Sequence, residues 1–179
     1  TLPPFLRVER RVRLDLSWQV TTRVLRLTPP GAAVVVEVPL VPGESVTSAD
    51  VRVQNGKVAV SMGPTASLVE WTSVLGEADA MTLTASTSGA WAENWRVDAS
   101  PMWHVEASGI PVVQRPANIA REREWRPWPG ETVSLAISRP EGAPGQTLTL
   151  DGASLVVSPG LRSTDATLTL SVRSSRGGQ

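Results

Sequence analysis

An apolar residue at every second position is the feature that most constrains how this chain can fold. Successive side chains of a β-strand point to opposite faces, so a period of two predicts strands with one buried face. The phase of the pattern shifts after Thr22, to Leu25 and Leu27, which predicts a bulge or bend there. The pattern is clearest near the start, where it predicts one long half-buried strand through Val12, Leu14, Leu16, Trp18 and Val20.

The segment 51–60 predicts a tight hairpin. Asn55-Gly56 at its centre is the preferred pair for a two-residue type I′ turn, because both central residues need a positive φ. In that register Val53 faces Val58 on one apolar side.

Further alternating segments follow, with Gly and Pro between them. No window shows an apolar stripe of helical period with caps. About a dozen short strands with little or no helix predict an all-β fold, an antiparallel β-sandwich, in a single module over residues 1–179. A possible weak lobe boundary lies at 109–118. The later strands are expected at Leu68–Leu75, Met81–Thr87, Trp91–Val97, Trp103–Ala107, Val133–Ser138, Thr147–Leu150, Leu155–Val157 and Thr167–Arg173.

Composition excludes several classes of function. The 17 Lys and Arg residues balance 17 Asp and Glu residues, so the net charge gives no general reason to bind nucleic acid or an anionic membrane. The sequence has no cysteine, which rules out disulfides, thiolate metal sites and a Cys nucleophile. No apolar run approaches ~18 residues, so we expect no direct membrane insertion by this segment. No metal-binding motif is present, and we expect neither a metal nor another cofactor.

The single histidine, His104, has no nucleophile or metal motif around it, so no catalytic residue is predicted. A hairpin around Ser100 would bring residues 91–98 beside residues 102–107. One face of that hairpin would be a hydrogen-bonded polar patch that offers Arg96, His104 and Glu106 as candidate binding residues. The full patch would contain Asn94, Arg96, Asp98, His104 and Glu106.

Tryptophan is the best lead to a binding function. Trp125 and Trp128 lie in a proline-rich stretch without alternation, so at least one indole is expected to be partly exposed. Exposed indoles can stack on sugar rings or anchor protein interfaces. The alternating charges of 121–126 predict a solvated strand or loop with weak ion pairs. Four other tryptophans fall on apolar faces and are expected in the core: Trp18, Trp71, Trp95 and Trp103.

The last third of the chain resembles the extracytoplasmic part of large uncharacterised proteobacterial membrane proteins. The resemblance covers about 55 residues and implies a β-rich periplasmic region attached to transmembrane helices elsewhere in the protein. It carries over no catalytic or binding residue. The stretches on which it rests are 126–131 (Arg-Pro-Trp-Pro-Gly-Glu), 139–142 (Arg-Pro-Glu-Gly), Pro159-Gly160 and 163–179.

Three functions follow as expectations. The favoured one is a non-catalytic structural or protein-interaction β-sandwich module of a larger bacterial envelope protein, periplasmic or extracytoplasmic as part of a membrane-anchored protein. Its partners would be flanking domains of the parent protein or another envelope protein. The alternatives are a carbohydrate-binding β-sandwich that uses exposed Trp to hold a glycan, and a carboxylate-dependent glycan-active enzyme. The chain begins at Thr1 without an initiator Met, and we expect it to be a segment of a longer protein.

Overall fold

The computed structural model describes residues 3–113, 122–140, 148–160 and 162–174, and these residues form strands and connections without a helix. The predicted all-β fold is therefore confirmed. The chain divides into two compact units, residues 1–140 and residues 141–179. Part of the predicted lobe boundary at 109–118 lies outside the described residues. The strands are β1 Leu6–Leu14, β2 Trp18–Arg26, β3 Val34–Pro39, β4 Glu44–Val46, β5 Val53–Gln54, β6 Lys57–Met62, β7 Leu68–Leu75, β8 Ala80–Thr84, β9 Trp91–Ala99, β10 His104–Gly109, β11 Glu122–Trp125, β12 Thr132–Ser138, β13 Leu148–Pro159 and β14 Thr164–Ser174.

The first unit is a sandwich built on one six-stranded sheet. Its strand order is β11-β9-β1-β2-β7-β4, and two three-stranded sheets, β3-β6-β5 and β10-β12-β8, share buried apolar clusters with it. Neighbouring strands are antiparallel, with the exception of the parallel pair β1 and β9. One cluster contains Trp18, Trp95 and Trp125, and the other contains Trp71 and Trp91.

A layer of polar side chains lies on the inner face of the large sheet. Its members in the longer strands follow the same alternation as the core residues before and after them, as Arg10 does between Val8 and Val12. Thr22 belongs to this layer and faces Arg10 across a regular β1–β2 ladder. The bulge predicted at Thr22 is therefore wrong, because a buried polar residue, not a shifted backbone, interrupts the apolar pattern. The layer consists of Arg10, Thr22, Glu44, Ser73 and Glu93.

The long first strand predicted through Leu16 is in fact two strands joined by a turn. β1 ends at Leu14, β2 begins at Trp18, and they pair in an antiparallel ladder. Leu16 lies in the turn with 82% of its surface exposed. Leu14, Leu16 and Trp18 keep the apolar alternation across the turn, and the turn contains neither Gly nor Pro. The alternation alone therefore gave no sign of the break.

The hairpin predicted at Asn55-Gly56 is confirmed. Val53 pairs with Val58, and the two turn residues have φ values of 51° and 71°. Asn and Gly tolerate positive φ, which explains why this pair sets the turn.

Candidate functional site

The polar patch predicted around His104 does not form. The expected hairpin around Ser100 is wrong, since β9 belongs to the six-stranded sheet and β10 to a three-stranded sheet. The Ser100 amide instead extends the pairing with β1 by donating to the Leu14 carbonyl at 2.8 Å. The chain then crosses from one sheet to the other, which separates Arg96 from His104.

Each half of the predicted patch has its own local contacts. His104 lies on the exposed face of its sheet, with Nε2 3.2 Å from a Glu106 carboxylate oxygen. Arg96 lies in the large sheet, where its Nε is 3.6 Å from Glu124. The two halves therefore offer no shared binding surface.

The two tryptophans of the proline-rich stretch have opposite environments. Trp128 is 76% exposed, which confirms that at least one of the pair is accessible. Trp125 is fully buried, so it is a core residue and does not offer a binding surface. Strand β11 explains this burial, because it places Trp125 opposite Trp95 on the inner face of the large sheet.

The charged run before Trp125 is also more buried than predicted. Glu124 has no exposed surface and accepts a hydrogen bond from Asn94 Nδ2 at 3.0 Å and from Arg126 Nε at 2.9 Å. Arg96 approaches the same carboxylate. The prediction of a solvated strand or loop is therefore wrong at Glu124, which ties β11 to β9 and fixes the start of the stretch that carries Trp128.

Trp128 borders a cleft of about 560 Å³ at the edge of the large sheet. Pro127, Pro129 and the half-exposed Phe5 provide further apolar surface, and Ala92 lies on the strand below. This volume is in the range of sites for small ligands or short peptide segments. Arg7, Asn94 and Arg126 are also among its lining residues.

A buried carboxylate, Glu93, supports the floor of this cleft. It accepts the indole N–H of Trp95 at 2.7 Å and that of Trp91 at 3.1 Å. It also accepts the backbone N–H of Ser86 at 2.9 Å, and Arg10 lies 4.0 Å away. Four cationic or N–H groups thus surround Glu93, and its carboxylate holds Trp91, Trp95 and the Ser86 backbone in place beneath the cleft.

The second unit provides a different kind of surface. Strands β13 and β14 form a two-stranded antiparallel ribbon. Their register places apolar residues of one strand opposite apolar residues of the other. The side chains on one face are aliphatic between its two end rungs, where Ser174 pairs with Leu148 and Thr164 pairs with Pro159. The opposite face is polar except for Val156. The seven large side chains of the aliphatic face are between 50 and 72% exposed. This aliphatic face consists of Leu148, Leu150, Ala153, Leu155, Val157, Ala166, Leu168, Leu170 and Val172.

A bulge keeps that aliphatic face continuous. The ladder shifts by one residue between Leu150 and Gly152, so Leu150 and Ala153 lie on the same face although they are three residues apart. The extra residue, Asp151, accepts two hydrogen bonds from Arg173, at 2.6 and 2.7 Å. The prediction of separate strands at Thr147–Leu150 and Leu155–Val157 is therefore wrong, because residues Leu148–Pro159 form one strand with Gly152 beside a bulge.

Neither a membrane-crossing helix nor a metal cluster occurs in the described part of the chain. None of its segments is a helix long and apolar enough to cross a membrane. Its His, Asp and Glu residues form no group of three or more that could hold a metal ion.

The polar groups beneath the cleft were missed by sequence reasoning, although a signal for them exists. Arg10 and Glu93 both occupy positions that alternation assigns to the buried face. When a charged residue occupies a core-facing position of one strand and an opposite charge occupies a core-facing position of another strand, the two indicate a buried ion pair. The sequence held no comparable signal for the sheet edge beside the cleft, because the order of the strands determines which edge is left without a neighbour.

No known protein-family profile matches this chain, and no curated protein matches its sequence. Among solved structures, it is similar to an M1 zinc metallopeptidase from Deinococcus radiodurans bound to a Tyr-Ser-Ala substrate, with 12% identity and a TM-score of 0.29. That alignment covers 92% of this chain and 46% of the other. Another structure of an M1 zinc metallopeptidase from the same organism gives 14% identity and a TM-score of 0.27, with the same coverage of 92% and 46%. The chain thus spans less than half the length of these proteins, and the likeness carries no argument about function.

Proposed function

We propose that this chain is a non-catalytic structural or protein-interaction module of a larger bacterial envelope protein. The observation that carries the proposal is the aliphatic face of the β13–β14 ribbon. An isolated two-stranded ribbon is marginally stable in water, and a continuous exposed apolar surface is typical of an interaction site. Each Leu or Val that a partner buries on this face would contribute about 1.5–3 kcal/mol before the costs of association.

The partner is a flanking domain of the parent protein or another envelope protein. The aliphatic face carries no charge, so it suits a partner with an apolar surface. The resemblance of the last third of the chain to extracytoplasmic β-rich regions supports a periplasmic location, with the membrane anchor elsewhere in the parent protein.

A polarity-sensitive dye tests whether the aliphatic face is accessible. Leu155 pairs with Leu168 on that face, and Ser154 pairs with Thr169 on the opposite face one rung away. We expect the double change Leu155→Lys, Leu168→Lys to lower dye fluorescence several-fold. The matched control Ser154→Lys, Thr169→Lys should leave it near the parent value.

The tryptophans provide an internal check on this experiment. All seven lie in residues 1–140, so their fluorescence reports on the first unit while the changes are made in the second. Equal dye binding by both double variants, with unchanged tryptophan emission, would contradict the proposal.

Carbohydrate binding is the second candidate, and the exposed indole of Trp128 favours it. It predicts a saturable shift of tryptophan fluorescence with peptidoglycan fragments or polysaccharides, lost in Trp128→Ala. We expect no such shift. For the glycan-active enzyme, Glu93 is the carboxylate that lines the cleft beside Trp128, and its contacts with Trp91, Trp95 and Ser86 are those of a structural group.

A further inference from the structure

The hydrogen bonds between β9 and β1 show which peptide groups of β9 face the edge of the sheet. The Leu6 amide donates to the Ala90 carbonyl at 3.4 Å, and the Ser100 amide donates to the Leu14 carbonyl at 2.8 Å. Even-numbered residues of β9 therefore direct their N–H and C=O groups at β1. Alternate residues of a strand point these groups in opposite directions, so Trp91 and Glu93 direct theirs away from β1.

Strand β11 covers only half of that edge. Its register pairs Trp125 with Trp95 and ends there. Continuing the register would place Pro127 opposite Glu93 and Pro129 opposite Trp91. Proline has no N–H to donate to a ladder, so β11 cannot extend along this part of the edge.

The edge at Trp91 and Glu93 is consequently open. In the described part of the chain, no backbone hydrogen bond joins the peptide groups of these two residues to another segment. The cleft beside Trp128 lies along the same edge. Strand N–H and C=O groups that have no ladder partner are a template for a further strand.

The charges and the geometry beside β9 indicate which side chains an added strand would carry. In an antiparallel addition, side chains opposite Ala92 and Asn94 would point to the outer face of the sheet. Arg7 and Arg126 line the cleft, and their side chains are 40% and 65% exposed. Both arginines already pair with a glutamate, Arg7 with Glu9 and Arg126 with Glu124. Each of these carboxylates is shared with a second arginine, Arg23 at Glu9 and Arg96 at Glu124, so two positive charges face one negative charge at each place.

We propose that the edge Trp91–Asn94 binds an extended peptide segment of a partner protein. The segment would pair with β9 as an antiparallel strand, beyond the point where β11 ends. The segment carries acidic side chains on its outward positions, near Arg7 and Arg126, and small apolar side chains on its inward positions. Main-chain hydrogen bonds to Trp91 and Glu93 provide affinity, and the flanking side chains provide specificity. This surface belongs to the first unit and the aliphatic ribbon face to the second, so either proposal can fail alone.

Blocked heptapeptides test this inference on the full chain. The first probe alternates valine with glutamate, and the second alternates valine with lysine. The third is the valine–glutamate peptide with N-methyl groups on its valines, whose N–H groups would point at β9. The readout is hydrogen exchange and chemical shift at the backbone amides of Trp91 and Glu93.

We expect the valine–glutamate peptide to protect both amides and to bind about tenfold more tightly than the valine–lysine peptide. The N-methylated peptide should not protect them. Trp128→Ser should weaken binding several-fold, and Leu16→Ser, at another exposed apolar residue, should leave it unchanged. Equal binding by the N-methylated probe, no protection by any probe, or protection by oligosaccharides alone would overturn the inference.

Discussion

Arg10 and Glu93 face each other inside the sandwich, with 4.0 Å between the guanidinium Nε and a carboxylate oxygen. Burial lowers the pKa of Arg10 from its ordinary value, and the negative charges of Glu93 and Glu44 oppose this effect. Glu93 in turn holds the indoles of Trp91 and Trp95. The same buried pair thus connects the two apolar clusters and supports the floor of the cleft.

Removal of one partner of this pair should be costly. Arg10→Met leaves Glu93 buried without its cation, and we expect a loss of about 3–5 kcal/mol in the free energy of unfolding. Arg11→Met is the matched control, because Arg11 pairs with Glu122 but is itself 58% exposed, and its loss should cost below about 1 kcal/mol. Urea denaturation followed by tryptophan fluorescence measures both. Similar losses in the two variants would contradict the structural role given to the Arg10–Glu93 pair.

Gly56→Val should destabilise the first unit. The residue has a φ of 71° at the hairpin tip, where a β-branched side chain is strained, and we expect a loss of about 1–3 kcal/mol. Space is not the limiting factor, since a Cβ at Gly56 would meet no atom within 4 Å. Gly31→Val is the control, because Gly31 also has open space but no positive φ. A denaturation midpoint equal to that of the parent would argue against the turn.

His104→Ala should leave any function of the chain intact. The side chain is exposed and contacts Glu106 on the surface, so we also expect a stability change below about 0.5 kcal/mol. The measurements are the denaturation midpoint and the peptide-binding assay at the cleft edge. An activity that disappears in this variant would overturn the non-catalytic interpretation.

Trp125 and Trp128 should respond differently to substitution although they are three residues apart. Trp125→Ala removes a fully buried indole and should cost about 3–5 kcal/mol. Trp128→Ala should cost below about 0.5 kcal/mol and should remove the tryptophan emission that acrylamide quenches most readily. Equal stability losses in the two variants would mean that both indoles belong to the core.

The strands could be predicted where turn chemistry and alternation agree. Leu68–Leu75 has the same bounds in the sequence prediction and in the structure, and the Asn55-Gly56 turn has the expected register. Prediction was wrong where one of these signals was absent or misleading. The turn at Leu16 has no Gly or Pro, and Gly152 lies inside a strand beside a bulge.

The candidate surfaces depend on long-range pairing that alternation does not reveal. Trp128 could be proposed from the prolines beside it, but Trp125 could not be assigned to the core without the β9–β11 pairing. The parallel contact of β1 with β9 decides which edge is open, and it joins residues more than 80 positions apart. The polar patch around His104 failed for the same reason, since local sequence cannot show that the chain crosses between sheets at Ser100.

The most direct test of the protein-interaction function is site-specific photo-crosslinking in the native host. A photoreactive phenylalanine analogue replaces Leu168 on the aliphatic face of the ribbon, or Thr169 on the opposite face as the control. We predict that position 168 forms a discrete protein adduct, within the parent protein or with a second envelope protein, and that position 169 does not. Equal crosslinking at both positions, or adducts only with glycan or lipid at position 168, would contradict the assignment of this face as a protein-binding surface.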